Sequence, residues 1–166
     1  MSNNNLYAPW RETYVKKEDD MLNGCVFCYQ IDAGEDDTYF IVKRFAHNTV
    51  ALNLYPYNIG HLLVLPHTHT SSLTDLDEAT RAEMMEILTV STTVLSESLG
   101  AESFNVGFNI GQHGGGGIPQ HMHGHVVPRW KGDTNFFPVL SGDRVISLDL
   151  SKIHQQLKVA FLDIEI

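Results

Sequence analysis

The sequence predicts an α+β fold, in which a five-stranded antiparallel sheet carries one long helix and a C-terminal helix. Short β-branched and aromatic segments separated by brief turns are typical of antiparallel strands. One longer segment repeats its apolar residues every three or four positions, as a helix does. No internal repeat or low-complexity linker divides the 166 residues, so we expect one domain.

The first three strands are predicted close together in the chain. Residues 38–43 and 49–55 are rich in β-branched and aromatic side chains, and residues 60–66 carry the apolar run Leu-Leu-Val-Leu. A turn over residues 56–60 joins the second strand to the third. Because the connections are short, these strands should form an antiparallel meander.

A helix and two more strands are expected next. Capping and acidic residues precede the apolar repeat, which closes at Gly100, and this predicts one helix from about 77 to 99. Residues 104–110 alternate as a fourth strand would. The fifth strand follows a glycine-rich loop, and residues 148–162 predict the final amphipathic helix.

The N-terminal residues differ from the rest of the chain. Residues 1–24 are polar with scattered aromatics, and we expect an arm packed over the domain or over a partner subunit. Residues 25–166 should then form the single domain. The first residues have neither a basic start nor an apolar run, so no signal peptide is predicted, and the cytoplasm is the expected compartment.

Composition restricts the possible partners. The formal net charge is -9 and no basic cluster could neutralise a nucleic-acid backbone, so no nucleic-acid partner is expected. No apolar stretch approaches the ~20 residues of a membrane helix, so no membrane partner is expected either. A small nucleotide is compatible with this charge, because a few amides and histidines can hold it.

The two cysteines of the chain are Cys25 and Cys28. In a reducing compartment this spacing indicates metal or redox chemistry before a structural disulfide. A thioredoxin-like role would require a long helix after the pair, and the residues that follow are too short and broken for one. Zinc is the favoured interpretation, with unligated core thiols as the alternative.

Residues 114–128 carry the strongest chemical signal, four glycines followed by His121, His123 and His125 at every second position. In a strand these three imidazoles share one face. The glycine run exposes backbone N–H groups without side chains, which is the composition of an anion cradle. Imidazoles beside an anion cradle indicate phosphoryl or nucleotidyl chemistry; the alternative is a polar, solvent-facing strand.

The string His-Met-His-Gly-His-Val-Val, from His121, resembles the signature of the histidine triad (HIT) family, with Gly124 at a position usually apolar. The resemblance extends to residues 53–66 and to Asn109-Ile-Gly, and together these matches cover residues 25–130, which are most of the chain. The flanks, residues 10–14 and 128–136, are similar to the branch that contains bacterial diadenosine polyphosphate phosphorylases. The resemblance implies a HIT-like fold and a homodimer.

The resemblance also implies how a small-molecule nucleotide would be bound and attacked. A neutral imidazole is a good nucleophile near pH 7, and the family uses the middle histidine, His123, to form a covalent nucleotidyl intermediate at the α-phosphate. His125 would donate a hydrogen bond to a phosphate oxygen or to the leaving group. AMP-linked nucleotides, above all dinucleoside polyphosphates, are the implied substrates. The implied nucleotide-binding residues are His125, Asn53, Asn109, Gly114, Gly115, Gly116 and Gly117.

A zinc site would give His121 a role. Two thiolates and two imidazoles complete a closed tetrahedral site, and the cysteines supply half of one. Relatives complete it with the first triad histidine and with a histidine from a Pro-x-x-His stretch, which here implies His69 and leaves His67 as a bystander. The implied ligands are Cys25, Cys28, His69 and His121, and the implied zinc is structural.

Two alternatives to a HIT enzyme remain open. One is a mononuclear metal enzyme that uses the triad as ligands, and the other is a non-catalytic module that binds nucleotides. The acceptor of the second step, water or inorganic phosphate, is also open. Many HIT hydrolases read Gly-Gln-Ser/Thr-Val just ahead of the triad, whereas residues 116–119 here read Gly-Gly-Ile-Pro and Gln120 is displaced toward the histidines. Phosphorylase-like relatives also lack that glutamine.

Overall fold

The computed structural model describes residues 24–133 and 149–166, so the expected arm over residues 1–24 lies, apart from Gly24, outside the described residues. The elements in chain order are helix α1 (Val26–Asp32), strands β1 (Ile41–Arg44), β2 (Asn48–Leu52) and β3 (Leu62–Pro66), helix α2 (Glu78–Leu99), strands β4 (Ser103–Phe108) and β5 (Gly124–Arg129), and helix α3 (Leu150–Ala160), with 3-10 turns at Leu73–Asp75 and Gln112–Gly114.

The predicted five-stranded antiparallel sheet is confirmed, in the order β1-β2-β3-β5-β4. The first three strands form the expected meander, and β5 lies between β3 and β4. The strands are shorter than predicted. The first starts at Ile41 rather than at residue 38, because Phe40 takes a positive φ of 55° and the Ile41 N–H donates to Asp36 O at 2.8 Å, which closes a turn.

The two faces of the sheet pack against different layers. Alternate residues of each strand point to opposite sides. One side packs against α2 and α3, and the other packs against α1 and the loop before the histidines. Fully burying one leucine or valine side chain stabilises by about 1.5–3 kcal/mol, so the alternation fixes which face each strand presents. The face toward the long helices carries Val50, Leu52, Leu62, Val64 and Val126, and the opposite face carries Ile41, Ala51, Leu63 and Leu65.

Helix α2 has the predicted ends to within one residue. The Asp77 side chain accepts a hydrogen bond from Thr80 N at 2.7 Å, and Gly100 ends the helix with a φ of 67°. The turn between β2 and β3 lies against the C-terminal end of this helix. A Cβ atom on Gly60 would stand 2.5 Å from Leu99 Cδ1, so a side chain there would force Leu99 to shift, and it would also be strained by the φ of +72°.

Helix α3 confirms the amphipathic segment predicted over residues 148–162. The Asp149 side chain accepts from Lys152 N at 3.1 Å, and the buried His154 donates from Nε2 to Ile41 O at 2.8 Å, which ties the helix to the sheet. Within the described residues, none of the helices has both the length and the apolar character needed to cross a membrane.

Helix α1 was not predicted from the sequence. It spans only two turns, directly after Cys25, and its composition is too mixed for a helical repeat to stand out. Packing against the sheet stabilises it, since Phe27 is buried with Leu63 and Leu65.

Candidate functional site

One regular strand carrying all three histidines was predicted, and this prediction was wrong. Strand β5 begins only at Gly124, so His121 and His123 precede it. The predicted alternation nevertheless holds, because Met122 and Val126 join the helix-side core whereas His123 and His125 face the opposite side. His121 turns its ring away from its two neighbours and toward the cysteines.

Gly124 departs from the family signature for a steric reason. A Cβ atom at this position would lie 3.1 Å from Leu88 Cδ2 and 3.1 Å from Phe108 Cε1. These two side chains fill the space that an apolar residue would otherwise occupy. The glycine therefore lets α2 approach the start of β5 closely.

The hydrogen bond at His123 determines which ring nitrogen could attack a substrate. His123 Nδ1 lies 2.8 Å from His121 O, and a carbonyl oxygen can only accept, so Nδ1 carries the hydrogen and donates. Nε2 then holds the lone pair. Burial lowers the pKa of His123, partly offset by this hydrogen bond, so the neutral and nucleophilic form is favoured.

A row of hydrogen bonds fixes the tautomer of His125. Tyr57 N donates to His61 Nδ1 at 3.0 Å, and Asn53 Nδ2, whose oxygen accepts from Tyr55 N, also lies 3.1 Å from that nitrogen. His61 Nδ1 is therefore an acceptor, and its Nε2 donates to His125 Nδ1 at 3.0 Å. It follows that the hydrogen of His125 is on Nε2.

The side-chain amide of Asn109 lies next to the hydrogen on His125 Nε2. Its side-chain nitrogen is placed 3.1 Å from His125 Nε2. Two N–H groups cannot share one hydrogen bond, and the backbone N–H of Tyr57 at the far end of the row cannot be reversed. The Asn109 amide must therefore be turned so that its oxygen accepts from His125. A substrate oxygen in the same place would receive the same hydrogen bond.

Burial keeps this row of imidazoles uncharged. It lowers the pKa of His61 to about 3, with positive charge on His125 and His123 adding to the effect. It lowers the pKa of His125 to about 4, again with a contribution from His123. At neutral pH the site therefore offers a nucleophile and a hydrogen-bond donor without a net positive charge.

His123 and His125 line a cavity of about 400 Å³. One part of its wall is apolar and buried, and it is formed by Phe27, Leu63 and Ile118. The predicted residues in its wall are His123, His125, Asn53, Asn109, Gly115, Gly116 and Gly117. Asn53 also caps the turn after β2, since its side-chain oxygen accepts from Tyr55 N at 2.9 Å.

The first of the four consecutive glycines, Gly114, is placed differently from the three that follow it. Gly114 N donates to Gly111 O at 3.0 Å, and Gly114 is absent from the cavity wall, so the structure does not place it with the other three. Across residues 24–133 and 149–166, no hydrogen bond uses the N–H groups of Gly115, Gly116 or Gly117. Three uncommitted N–H groups at a cavity wall suit an anion. Gln120 is exposed and lies outside that wall.

The four residues expected to bind metal do come together. The ligand atoms of Cys25, Cys28, His69 and His121 lie within 4.8 Å of one another. His121 Nδ1 is 3.3 Å from Cys25 Sγ and 3.4 Å from Cys28 Sγ, and His69 Nδ1 is 3.3 Å from Cys28 Sγ. Of the described residues, this is the one group of three or more His, Cys, Asp or Glu side chains that could hold a metal ion.

The donor set and its spacing fit zinc. Tetrahedral zinc, with bonds of about 2.3 Å to sulfur and 2.0–2.1 Å to nitrogen, holds neighbouring sulfur and nitrogen ligands about 3.5 Å apart. His121 Nε2 donates to Pro66 O at 2.9 Å, which leaves the Nδ1 lone pair for the metal. Without a metal, burial and the neighbouring Cys25 raise the pKa of Cys28 to about 11, so metal binding must displace thiol protons.

Comparison with known proteins identifies the family. A model of the HIT domain matches residues 35–132 of the chain. The chain belongs to the histidine triad family. An AP-4-A phosphorylase of Mycobacterium tuberculosis is 41% identical over 147 residues, a match that covers 85% of this chain and 75% of that protein.

Solved structures of histidine triad proteins share the fold. A Zn-bound family protein from Mycobacterium smegmatis has a TM-score of 0.68 and 31% identity, covering 82% of this chain and 92% of that one. A hypothetical histidine triad nucleotide-binding protein from Sulfolobus tokodaii has a TM-score of 0.67 at 22% identity, covering 82% and 91%. The second likeness concerns the fold alone.

Two residues that contact the histidines of this HIT domain were not predicted from the sequence. His61 lies within the family stretch at residues 53–66, but nothing in the stretch itself ties it to His125. Phe27 stands between the two cysteines, its ring centroid 5.0 Å from that of His123 and 5.6 Å from that of His121. The spacing Cys-x-Phe-Cys was the signal that could have identified Phe27, because a metal that binds both cysteines also fixes the position of the residue between them.

Proposed function

We propose that this protein transfers a nucleotidyl group from a dinucleoside polyphosphate to inorganic phosphate, through a covalent intermediate on His123. The observation that carries the proposal is the tautomer of His123, whose Nδ1 is committed to His121 O while Nε2 keeps its lone pair at a cavity beside the glycine loop. The similarity to an AP-4-A phosphorylase supports both the substrate class and the acceptor.

The first step is an in-line displacement at the α-phosphorus. His123 Nε2 forms a bond to phosphorus, and the bond from phosphorus to the bridging oxygen breaks, so that diadenosine tetraphosphate releases ATP. The N–H groups of Gly115, Gly116 and Gly117 would stabilise the equatorial oxygens, and His125 Nε2–H the departing oxygen. In the second step a phosphate oxygen attacks the same phosphorus, which releases ADP and restores His123.

Zinc would have no step of its own in this reaction. Four protein ligands leave no open coordination position, so the ion would link α1 to the segment before β5 and hold His121 in place. The alternative of a triad-ligated metal enzyme is disfavoured because Nδ1 of His121 faces the cysteines, whereas His123 and His125 face the cavity. A non-catalytic module would not need an unprotonated Nε2 at the cavity.

Product analysis with diadenosine tetraphosphate tests the proposal. With phosphate present, the wild-type protein should form ADP and ATP, and His123→Ala should form neither. AMP and ATP formed in water alone would assign hydrolysis instead. Trapping of a radiolabelled nucleotidyl protein, lost in His123→Ala but kept in His113→Ala, would establish the intermediate. His113 is a suitable control because it lies in the same loop but outside the cavity wall.

Turnover that persists in His123→Ala would exclude the covalent route. Inactivation by a chelator without any change in thermal stability would favour a catalytic metal instead, since a structural ion should affect stability first.

The expected homodimer stays a proposal. Strand β4 lies at the edge of the sheet, and Val106 on it is 48% exposed. An exposed apolar edge strand is a surface on which a second copy can pair. Light scattering coupled to size-exclusion chromatography would measure the molar mass, and the mass of a monomer would contradict the proposal.

A further inference from the structure

The cavity encloses less than a two-base substrate. Its volume of about 400 Å³ is near the lower end of the range of ~300–1,000 Å³ for small-molecule sites. A dinucleoside polyphosphate carries a nucleoside at each end of its phosphate chain. When one nucleotide fills the cavity, the other nucleoside must lie at the mouth.

The mouth of the cavity carries exposed aromatic side chains. Tyr55 is 37% exposed and Tyr57 is 49% exposed, and both line the cavity from the turn between β2 and β3. By contrast, Phe27 on the inner wall is 7% exposed. An apolar surface that continues from a buried wall to an exposed rim marks an extended binding site.

Tyr57 stands on the side from which the leaving group departs. Its ring lies 5.8 Å from the ring of His125 at an interplanar angle of 20°, and 4.7 Å from the ring of His61. His125 Nε2–H is the donor available to the departing oxygen. Because Tyr57 lies beside this donor and lines the same cavity, its ring is the aromatic surface next to the start of the leaving group.

We propose that Tyr57, with Tyr55 two residues before it, forms a stacking platform for the base of the leaving nucleotide. This inference rests on the proposed function, and it adds a second base-binding subsite outside the cavity. Stacking on an aromatic ring favours binding whatever the identity of the base, because every base has a flat aromatic face. The platform therefore selects for the presence of a second base and not for its identity.

Two substrates that differ by one adenosine isolate this platform. Diadenosine tetraphosphate and adenosine 5′-tetraphosphate offer the same α-phosphate to His123, but only the first has a second base. The ratio of their kcat/KM values should favour diadenosine tetraphosphate by about tenfold in the wild type, the order of one base stack. Tyr57→Leu should bring the ratio close to the statistical factor for two equivalent ends, and Tyr57→Phe should keep it.

Tyr29→Leu is the matched control. Tyr29 is 52% exposed but does not line the cavity, so the ratio should stay at the wild-type value. A disturbance of His125 by Tyr57→Leu would lower both kcat/KM values together and leave the ratio unchanged, and that result would overturn the platform.

The other outcomes separate the two proposals. A wild-type ratio no larger than the statistical factor for two equivalent ends would overturn the platform and leave nucleotidyl transfer standing. Wild-type protein that cleaves neither would overturn the proposed function, and the platform with it. A lower ratio in Tyr57→Leu than in Tyr57→Phe supports both.

Discussion

The backbone N–H of Tyr57 determines which nitrogen of His125 carries the hydrogen, although the ring of His61 stands between the two. It forces His61 Nδ1 to accept, and the consequence passes through His61 Nε2 to the hydrogen on His125 Nε2. A side-chain donor could be reversed by rotation, but a backbone N–H cannot. The chain therefore sets a proton position by its fold and not by pH.

Replacing His61 by Phe should lower kcat on the order of 100-fold with little change in KM, because His125 loses the partner that orients its donor. Steady-state kinetics with diadenosine tetraphosphate measure the change. His154→Phe is a matched control, since His154 is buried like His61, but its Nε2 donates to the backbone carbonyl of Ile41 and not to a residue of the cavity. Unchanged kcat in His61→Phe would show that the row of hydrogen bonds has no catalytic role.

His61 and His125 should make the stability of the protein sensitive to acid. The unfolded chain protonates them below pH ~6.5, whereas the folded chain does so only near pH 4 for His125 and pH 3 for His61. Between these values the unfolded state binds more protons, so the free energy of unfolding should fall as the pH falls. The expected slope is about 1.4 kcal/mol per pH unit for each histidine.

Urea denaturation from pH 7 to pH 4.5 measures that slope. A variant with Phe at position 61 should show a shallower pH dependence than the wild type, even if its stability at pH 7 is lower. An equal slope in both proteins would mean that other groups cause the acid sensitivity.

At the scale of elements, the turn between β2 and β3 is pressed against the end of α2. The turn carries Asn53 and Tyr57, so its position also sets the row of hydrogen bonds. Gly60 is the residue that permits the close approach, because any Cβ atom would meet Leu99.

Gly60→Ala should destabilise the protein more than Gly34→Ala. Both glycines have a positive φ, +72° and +68°, so both variants carry the ~1–2 kcal/mol conformational cost of a side chain there. Only Gly60→Ala adds a clash, which typically costs about 1–3 kcal/mol. Chemical denaturation measures the difference. Addition of Leu99→Ala should recover part of the loss at Gly60, and equal stability of the two glycine variants would contradict the packing argument.

The sequence predicted elements better than their pairing. Capping residues and apolar spacing located α2 to within one residue, because these signals are local to the helix. The position of β5 between β3 and β4 was not predicted, because strand pairing depends on contacts distant in sequence. His61 was missed for that reason: β3 pairs with β5 so that Leu63 stands opposite His125, and His61 then falls on the same face.

The metal group illustrates what a resemblance adds. The sequence alone offered two cysteines and several histidines, and the family pattern singled out His69 over His67. The geometry agrees, since His67 Nε2 pairs with Thr49 Oγ1 at 2.9 Å, away from the cysteines. Helix α1 was missed because tertiary packing, rather than its composition, stabilises it.

At the scale of the whole molecule, the metal group joins three distant parts of the chain. His69→Ala should reduce bound zinc and lower the denaturation midpoint, because structural zinc contributes several kcal/mol to folding. Metal analysis and thermal denaturation measure both effects. His67→Ala, two residues away and outside the group, should retain its zinc. Loss of zinc in both variants, or in neither, would contradict the assignment of His69.

The position of Phe27 between the two metal-binding cysteines has a thermodynamic consequence. This ring forms part of the cavity wall and touches the ring of His123, so the metal and a nucleotide order the same helix. Coupling between two binding sites is reciprocal. Any factor by which zinc strengthens nucleotide binding is also the factor by which the nucleotide strengthens zinc binding, so the nucleotide-bound protein would keep its zinc at a lower concentration of free metal.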